Sequence, residues 1–228
     1  MDLGLNIASA GMLAEQVQED QLSNDLANAS TPGFKASSSV QQSFGDMLLY
    51  NTKTGQYVGQ IQTGVDVKKG ATDLAQGPLD PTGDPLDFAI TGSGFFAVKT
   101  ANGVQYTRNG QFSKNNQGVL VDQYGDDVLS QSGSPIQVGA SGTVPGTALG
   151  VFALKNPSQL GNNNFSGTAA GRGTGQVESG QLEGSGIDPI QSMVQMESAL
   201  DAYTAGQQTI GTIGQTMQES ASSVGSIP

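Results

Sequence analysis

No histidine, cysteine or tryptophan occurs in the 228 residues. Without imidazole or thiol there is no Ser-His-Asp or Cys-His nucleophile, no thiolate or imidazole zinc cage, and no disulfide. Carboxylate and lysine chemistry survive this exclusion, and so does any role that needs no chemistry. Basic residues are scarce: nine Lys and Arg stand against twenty Asp and Glu, a formal charge of −11. Such a chain lacks the basic stripe that displaces counterions from phosphates, so nucleic acid is not expected as a partner. No stretch approaches the roughly 20 apolar residues of a membrane span, and no membrane insertion is expected. Met1-Asp2-Leu3-Gly4-Leu5-Asn6 has neither a basic n-region nor an unbroken apolar run, so it does not read as a cleavable secretory signal. Absence of cysteine fits a cytosolic protein, or one exported by a route that does not rely on disulfides.

What charge there is lies unevenly. Residues 1–34 carry five acids and no base, and residues 173–228 carry six acids and no base. The centre, 35–172, balances nine acids with nine bases. The whole negative charge therefore sits on two ends around a neutral middle, which divides the chain in three. Charged residues are only 13% of the sequence, about half the usual share, and Gly is 33 of 228. A polar but uncharged surface loses its water at lower cost than a Lys/Glu surface, which suits a protein surrounded by neighbours. A flexible, Gly-rich secreted protein would have the same composition.

The ends read as helices. Leu3, Ile7, Ala10, Ala14 and Val17 recur at four-three spacing, with Leu5, Met12, Leu22 and Leu26 on neighbouring faces. The first helix should stop before Thr31-Pro32-Gly33, since Pro32 disfavours helix at the residue before it. At the other end Asp188 suits an N-cap, Pro189 a first helical position, and Gln191 a box-like third. From there Met193, Met196, Leu200, Tyr203, Gln207, Ile210, Gly214, Met217, Ala221 and Val224 keep an unbroken three-four alternation, a coiled-coil-like seam. Gly206, Gly211 and Gly214 each cost that helix about 1 kcal/mol relative to Ala, so it calls for a partner. The first helix is the obvious one, yet both are purely acidic and repel. The expectation is a helix pair ordered mainly within a larger assembly, with an ordinary intramolecular pair as the alternative.

The centre has period two. Leu86, Phe88 and Ile90 alternate with Asp87 and Ala89; Phe95-Phe96-Ala97-Val98 follows. Asn102-Gly103 between two β-rich runs marks a hairpin, because both residues tolerate positive φ. Further short strands are expected at 119–121, 127–130, 135–138 and 149–154, giving a small β-barrel or sandwich. Residues 36–85 hold an apolar patch, Met47-Leu48-Leu49-Tyr50, and then Gly- and Thr-rich extended chain. Residues 156–176 read as a loop or extended return arm. The expected class is α+β: paired N- and C-terminal helices, coiled-coil-like, plus a central antiparallel β-rich domain. Its parts are 1–34 (first helix), 35–85 (extended connection), 86–176 (β-rich domain) and 177–228 (return arm and last helix).

Chemical motifs mostly dissolve on inspection. Gly92-Ser93-Gly94-Phe95-Phe96-Ala97 has the form of a dinucleotide fingerprint, but a strand and a hairpin follow where a helix is required, so a tight β-turn is expected. Asp80, Asp84 and Asp87, and Asp122, Asp126 and Asp127, do not fit EF-hand spacing and read as solvated turn carboxylates. The sequons at Asn28 and Asn164 have no signal peptide to support them. Arg108, one of two arginines, reads as an ion-pair or interface residue. No cofactor, metal or catalytic residue is expected.

Three longer motifs are more specific. Ser23-Asn24-Asp25-Leu26-Ala27-Asn28-Ala29-Ser30-Thr31-Pro32-Gly33-Phe34-Lys35 closely resembles the "S-N-N-L-A-N-x-x-T-P-G-[FY]-K" signature of the bacterial flagellar rod and hook protein family, with Asp25 where Asn is usual. Gln76-Gly77-Pro78-Leu79, Leu86 to Phe96, and Tyr106-Thr107-Arg108-Asn109-Gly110-Gln111-Phe112 resemble its "Q-G-x-L … L-D-x-A-I-x-G-x-G-F-F … Y-T-R-x-G-x-F" block. Gly180 to Asp188 resembles the "G-x-L-E-x-S-N-V-D" that opens the last helix, with Gly186 for Asn, and Asp201 stands where "R-A-Y" has Arg.

The resemblance implies a structural role. Family members leave through the flagellar type III export apparatus and stack into a hollow rod that transmits torque. Their terminal helices line the tube and a β-rich domain lies outside. It implies a rod subunit, nearest the distal-rod class, whose partners are itself, neighbouring rod and hook proteins, and the export apparatus. Packing residues then carry the function: Leu22, Leu26, Pro32, Gly33 and Phe34 at the corner after the first helix; Gly92, Gly94, Phe95 and Phe96 in the β-domain; Met193, Met196, Leu200, Tyr203, Ile210 and Met217 in the seam. Seam packing within and between subunits is equally open. A secreted accessory protein or adhesin that forms no tube is the competing reading. A carboxylate-based glycan hydrolase is a third, for which no acid pair presents itself.

Overall fold

The computed structural model describes residues 2–43, 46–50, 56–62 and 65–224. The chain is α+β, with one long helix near each end and antiparallel strands between. Helix α1 runs Asp2–Ala27 and stops ahead of Pro32, where chain sterics require it to. Strands β1 (Ser37–Ser43), β2 (Asp46–Tyr50), β3 (Tyr57–Gln62) and β4 (Val65–Thr72) follow. Then come β5 (Leu79–Pro81), β6 (Phe88–Thr91), β7 (Phe96–Thr100), β8 (Gly103–Thr107), β9 (Ser113–Lys114), β10 (Leu120–Val121) and β11 (Asp127–Leu129). The last strands are β12 (Phe152–Gln159), β13 (Asn164–Arg172), β14 (Gln176–Ser179) and β15 (Gln181–Glu183), before helix α2 (Pro189–Val224). Pro189 is the first helical residue, where its missing N–H costs nothing.

The chain divides into two compact units. One holds residues 1–26, 37–71 and 189–228; the other holds 27–36 and 72–188. In the first, β1 pairs with β4 and β2 with β3. The β2–β3 ladder is antiparallel, from Asp46↔Gln62 to Tyr50↔Tyr57. The apolar patch at 47–50 thus lies on a strand, within a segment the sequence presents only as extended.

In the same unit α1 and α2 touch. A Cβ added at Gly206 would stand 2.7 Å from Met12 Cγ, and one at Gly4 3.8 Å from Ile213 Cδ1. The two contacts run in opposite chain directions, so the helices are antiparallel there. The side chains of Leu3 and Val224 lie outside the described residues.

The second unit is built on a seven-stranded sheet in the order β12-β13-β8-β7-β11-β10-β9, with every registered pair antiparallel. Both faces of its centre are buried, which explains the continuous apolar run at 95–98. Phe96 and Val98 point into one cluster, with Phe88, Ile90, Phe112 and Val128. Phe95 and Ala97 point into the other, with Tyr106, Leu129 and Phe165. Phe96 meets Phe112 edge-on at 5.3 Å, and Phe95 meets Phe165 at 5.2 Å, both favourable aromatic geometries.

Two local expectations are refined. The β7–β8 hairpin turns through Ala101 and Asn102, and Gly103, at φ 112°, pairs with Thr100. Residues 156–176 are not a loop: β12 and β13 pair through this region, and β13 also joins β8. Its alternation is hidden because β13 is mostly exposed small and polar residues. Asn156, Asn162 and Asn163 take the positive φ that would usually mark glycine.

Candidate functional site

The three signature motifs meet in one buried ionic cluster of the β-sheet unit. Lys35 comes from the first, Arg108 from the second and Glu183 from the third. All three side chains are buried, with Glu183 fully so. Lys35 Nζ donates to Glu183 Oε1 at 2.5 Å, and Arg108 NH1 donates to Glu183 Oε2 at 3.1 Å. Taking charges out of water is expensive unless each is paired and its remaining positions are filled. Here they are largely filled by backbone. Lys35 Nζ also donates to the Ala75 carbonyl, Arg108 NH2 to the Gly92 carbonyl at 2.9 Å, and Gly77 N–H to Glu183 Oε1 at 2.9 Å. The guanidinium lies 5.3 Å from the centre of the Phe95 ring, a cation–π distance. Arg108 Nε alone of this group is buried without a hydrogen-bond partner.

The backbone around the cluster is equally constrained. Thr31 N–H donates to the Asn28 carbonyl and Phe34 N–H to that of Thr31, turning the chain after α1. Gly33 N–H then donates to the Glu183 carbonyl at 2.7 Å, and Gly186 N–H to the Phe34 carbonyl at 3.0 Å. Gly33 has φ 67°, and a Cβ there would collide with the backbone of Arg108 and Asn109. No other residue meets both demands. Asn163 Nδ2 donates to the Pro32 carbonyl at 2.9 Å. The Thr-Pro-Gly-Phe-Lys corner is therefore clamped by 183–186 on one side and by 108–109 and 163 on the other.

Of the corner residues, Leu22, Gly33 and Phe34 are buried, and Leu26 and Pro32 are half-buried. Gly94, Phe95 and Phe96 are buried in the β-sheet unit. Gly92 is exposed in the β6–β7 turn at φ 101°. That Gly-x-Gly segment bends into strand β7, where a dinucleotide site would need a helix. Arg108, just after β8, is an ion-pair residue, one of the two roles expected of it. Lys35 and Glu183 were not singled out by sequence reasoning. The available signal was that Lys35 and Arg108 are the only cations in their motifs, in a chain with few bases.

The helices carry the second candidate surface. On α2 the buried and half-buried positions are Ser192, Met196, Ala199, Tyr203, Gly206, Ile210, Ile213 and Met217, an unbroken four-three alternation. Met196, Tyr203, Ile210 and Met217 belong to the line read from the sequence. The interleaved line is the small one, Ser192-Ala199-Gly206, then Ile213, one residue earlier than the sequence line. Met193 and Leu200 of that line are exposed in the single chain. On α1 Ala14, Leu22 and Asp25 are buried, whereas Ile7, Leu13 and Val17 are exposed. Burial holds the Asp25 carboxyl above its ordinary value, opposed by hydrogen bonds from the Gln21 side chain and the Ser37 backbone. Neither helix contains a Lys or Arg. Among the described residues, no helix is long and apolar enough to cross a membrane and no acidic group is arranged to hold a metal ion.

Known proteins resemble this chain along most of its length. The sequence pattern of the flagellar hook protein FlgE/F/G D1 domain matches residues 89–156, and that of the flagellar basal body rod FlgEFG protein C-terminal region matches 178–223. The flagellar basal-body rod protein FlgF of Caulobacter vibrioides is 31% identical over 227 residues, covering 89% of this chain and 90% of that protein. FlgG of Agrobacterium fabrum is 30% identical over 250 residues, covering 91% and 94%. FlgG of Bacillus subtilis is 29% identical over 252 residues, covering 92% and 94%. With its signature motifs joined at one buried cluster and its relatives matched along nearly their whole length, this chain belongs to the flagellar basal-body rod and hook protein family.

Proposed function

We propose that the chain is a structural subunit of the flagellar basal-body rod that self-assembles helically into a hollow axial tube. In that tube it transmits torque and lets exported subunits pass. The rod role follows the names of its relatives. The tube rests on one observation: large apolar side chains, among them Leu13, Val17, Met193 and Leu200, stand exposed on the two terminal helices. Exposed apolar positions at helical spacing serve contacts with another chain. A head-to-tail contact that does not close generates a helical tube.

In this reading α1 and α2 pair as an antiparallel coiled coil through Met196, Tyr203, Ile210 and Met217. The 4-3 burial pattern and the Gly206–Met12 approach support it. The corner residues Leu22, Leu26, Pro32, Gly33 and Phe34 turn the chain after α1. Neighbouring rod and hook proteins and the export apparatus are the partners. The test is electron microscopy of purified basal bodies carrying a labelled copy of this subunit. The account expects label along the rod. Absence of label, with the protein free in the medium, would favour the accessory or adhesin reading instead.

A further inference from the structure

Residues 173–186, the last stretch of the β-sheet unit before α2, form a strap across segments far away in sequence. Among the described residues β6 has β14 as its one ladder partner, from Gln176↔Thr91 to Ser179↔Phe88. Likewise β5 has only β15, from Gln181↔Pro81 to Glu183↔Leu79. Strand β6 is buried along Phe88, Ala89 and Ile90, and Phe88 and Ile90 fill the cluster that holds Phe96 and Val98. Its backbone groups therefore cannot turn to water if the strap is missing. Elsewhere the strap binds through its own backbone. Gly173, Gly175 and Gly180 donate to the carbonyls of Val151, Ser93 and Asp87, and Gly184 donates to that of Pro78. The crossing at β6 leaves no room for a side chain, since a Cβ at Gly175 would collide with Ile90 Cγ2.

The dependence runs both ways. The strap has two apolar side chains, Val177 and Leu182, so it has little to hold it in shape away from the sheet. The sheet unit without the strap loses the ladder of β6, and Lys35 and Arg108 lose Glu183, the carboxylate they share. Buried cations left without their anion are strongly destabilising. We propose that docking of 173–186 is the obligatory closing step of this unit, so a chain that emerges N-terminus first cannot fold it before the strap is available. Synthesis delivers residues in that order. A copy ending at Arg172 would hold every strand of the seven-stranded sheet, yet β5 and β6 would stand without partners. The device keeps incomplete copies out of the folded state. It goes beyond the rod reading and does not rest on it.

Native-state hydrogen exchange of the full, unassembled chain tests the proposal, because it finds any state in which the strap has lifted from a formed core. The amides of Gly173, Gly175, Gly180 and Gly184 should be as protected as the slowest amides of the β7–β8 ladder, with the same denaturant dependence. Strap amides that exchange about tenfold or more faster, with a shallower dependence, while the ladder stays protected would overturn it. Gly175→Ala should lower protection in strap and ladder by the same factor. Gly161→Ala, where a Cβ meets nothing within 4 Å, should change neither. A loss confined to the strap in Gly175→Ala would likewise overturn the proposal. Should that variant fail to fold, the comparison within the unaltered chain decides alone.

Discussion

At the scale of single residues, the account turns on Glu183 and Asp25. Glu183 is one anion shared by two buried cations, so replacing it leaves Lys35 and Arg108 uncompensated. Glu183→Gln keeps the shape and removes the charge. It should destabilise the β-sheet unit by about 3–5 kcal/mol, the usual cost of breaking a buried pair, read as a lowered denaturation midpoint with unchanged slope. A loss below about 1 kcal/mol, the scale of an exposed pair, would show that water reaches the cluster. Asp25 works the other way. Its carboxyl is raised mainly by burial, so the folded chain holds its proton more tightly than the unfolded chain does. Between the ordinary and raised values the native state binds more protons, and stability falls as pH rises through that window. Asp25→Asn, which restores the residue usual in the signature, should therefore raise Tm at neutral pH. The gain should shrink as pH falls toward the ordinary carboxylate value. A gain independent of pH would assign the effect to packing rather than charge.

At the scale of elements, α2 separates two kinds of glycine. Gly206 lies against Met12, but a Cβ at Gly211 or Gly214 would meet nothing within 4 Å. Gly211→Ala and Gly214→Ala should each stabilise the helix by about 1 kcal/mol, while Gly206→Leu should destabilise the helix contact. Thermal melts followed by far-ultraviolet circular dichroism distinguish them, and stabilisation by Gly206→Leu would contradict the antiparallel contact. The same helix shows what the sequence could convey. Its start at Pro189 and one line of its packed face were legible from capping chemistry and three-four spacing. The other packed line was not, because Ser192, Ala199 and Gly206 are small and two are polar or lack a side chain. Large apolar residues one position later drew the reading to Met193 and Leu200. In the sheet, the β7–β8 hairpin was legible from local turn residues, whereas β13 was not, since its partners rather than its own side chains define it. The ionic cluster was hidden for a third reason. Lys35 and Glu183 are 148 residues apart, and no local rule joins them.

At the scale of the molecule, charge and packing are divided along the chain. The negative excess lies in the two ends, which form α1, α2 and the segments beside them. The balanced centre supplies the cations of the buried cluster. A β-sheet unit locked internally by a buried ionic cluster, and acidic helices with exposed apolar residues, suit a subunit whose assembly is controlled at its ends. Self-repulsion of the acidic helices predicts that association strengthens with ionic strength. Residues 27–36 belong to the β-sheet unit, so a clean removal of the helices keeps the corner. The central claim is tested most directly by sedimentation and electron microscopy of the full chain beside a fragment spanning 27–188, across a salt series. The account predicts tubes from the full chain, promoted by salt, and a folded fragment that stays monomeric at every salt concentration. Tubes formed by the fragment, or a full chain whose polymerisation ignores ionic strength, would contradict it.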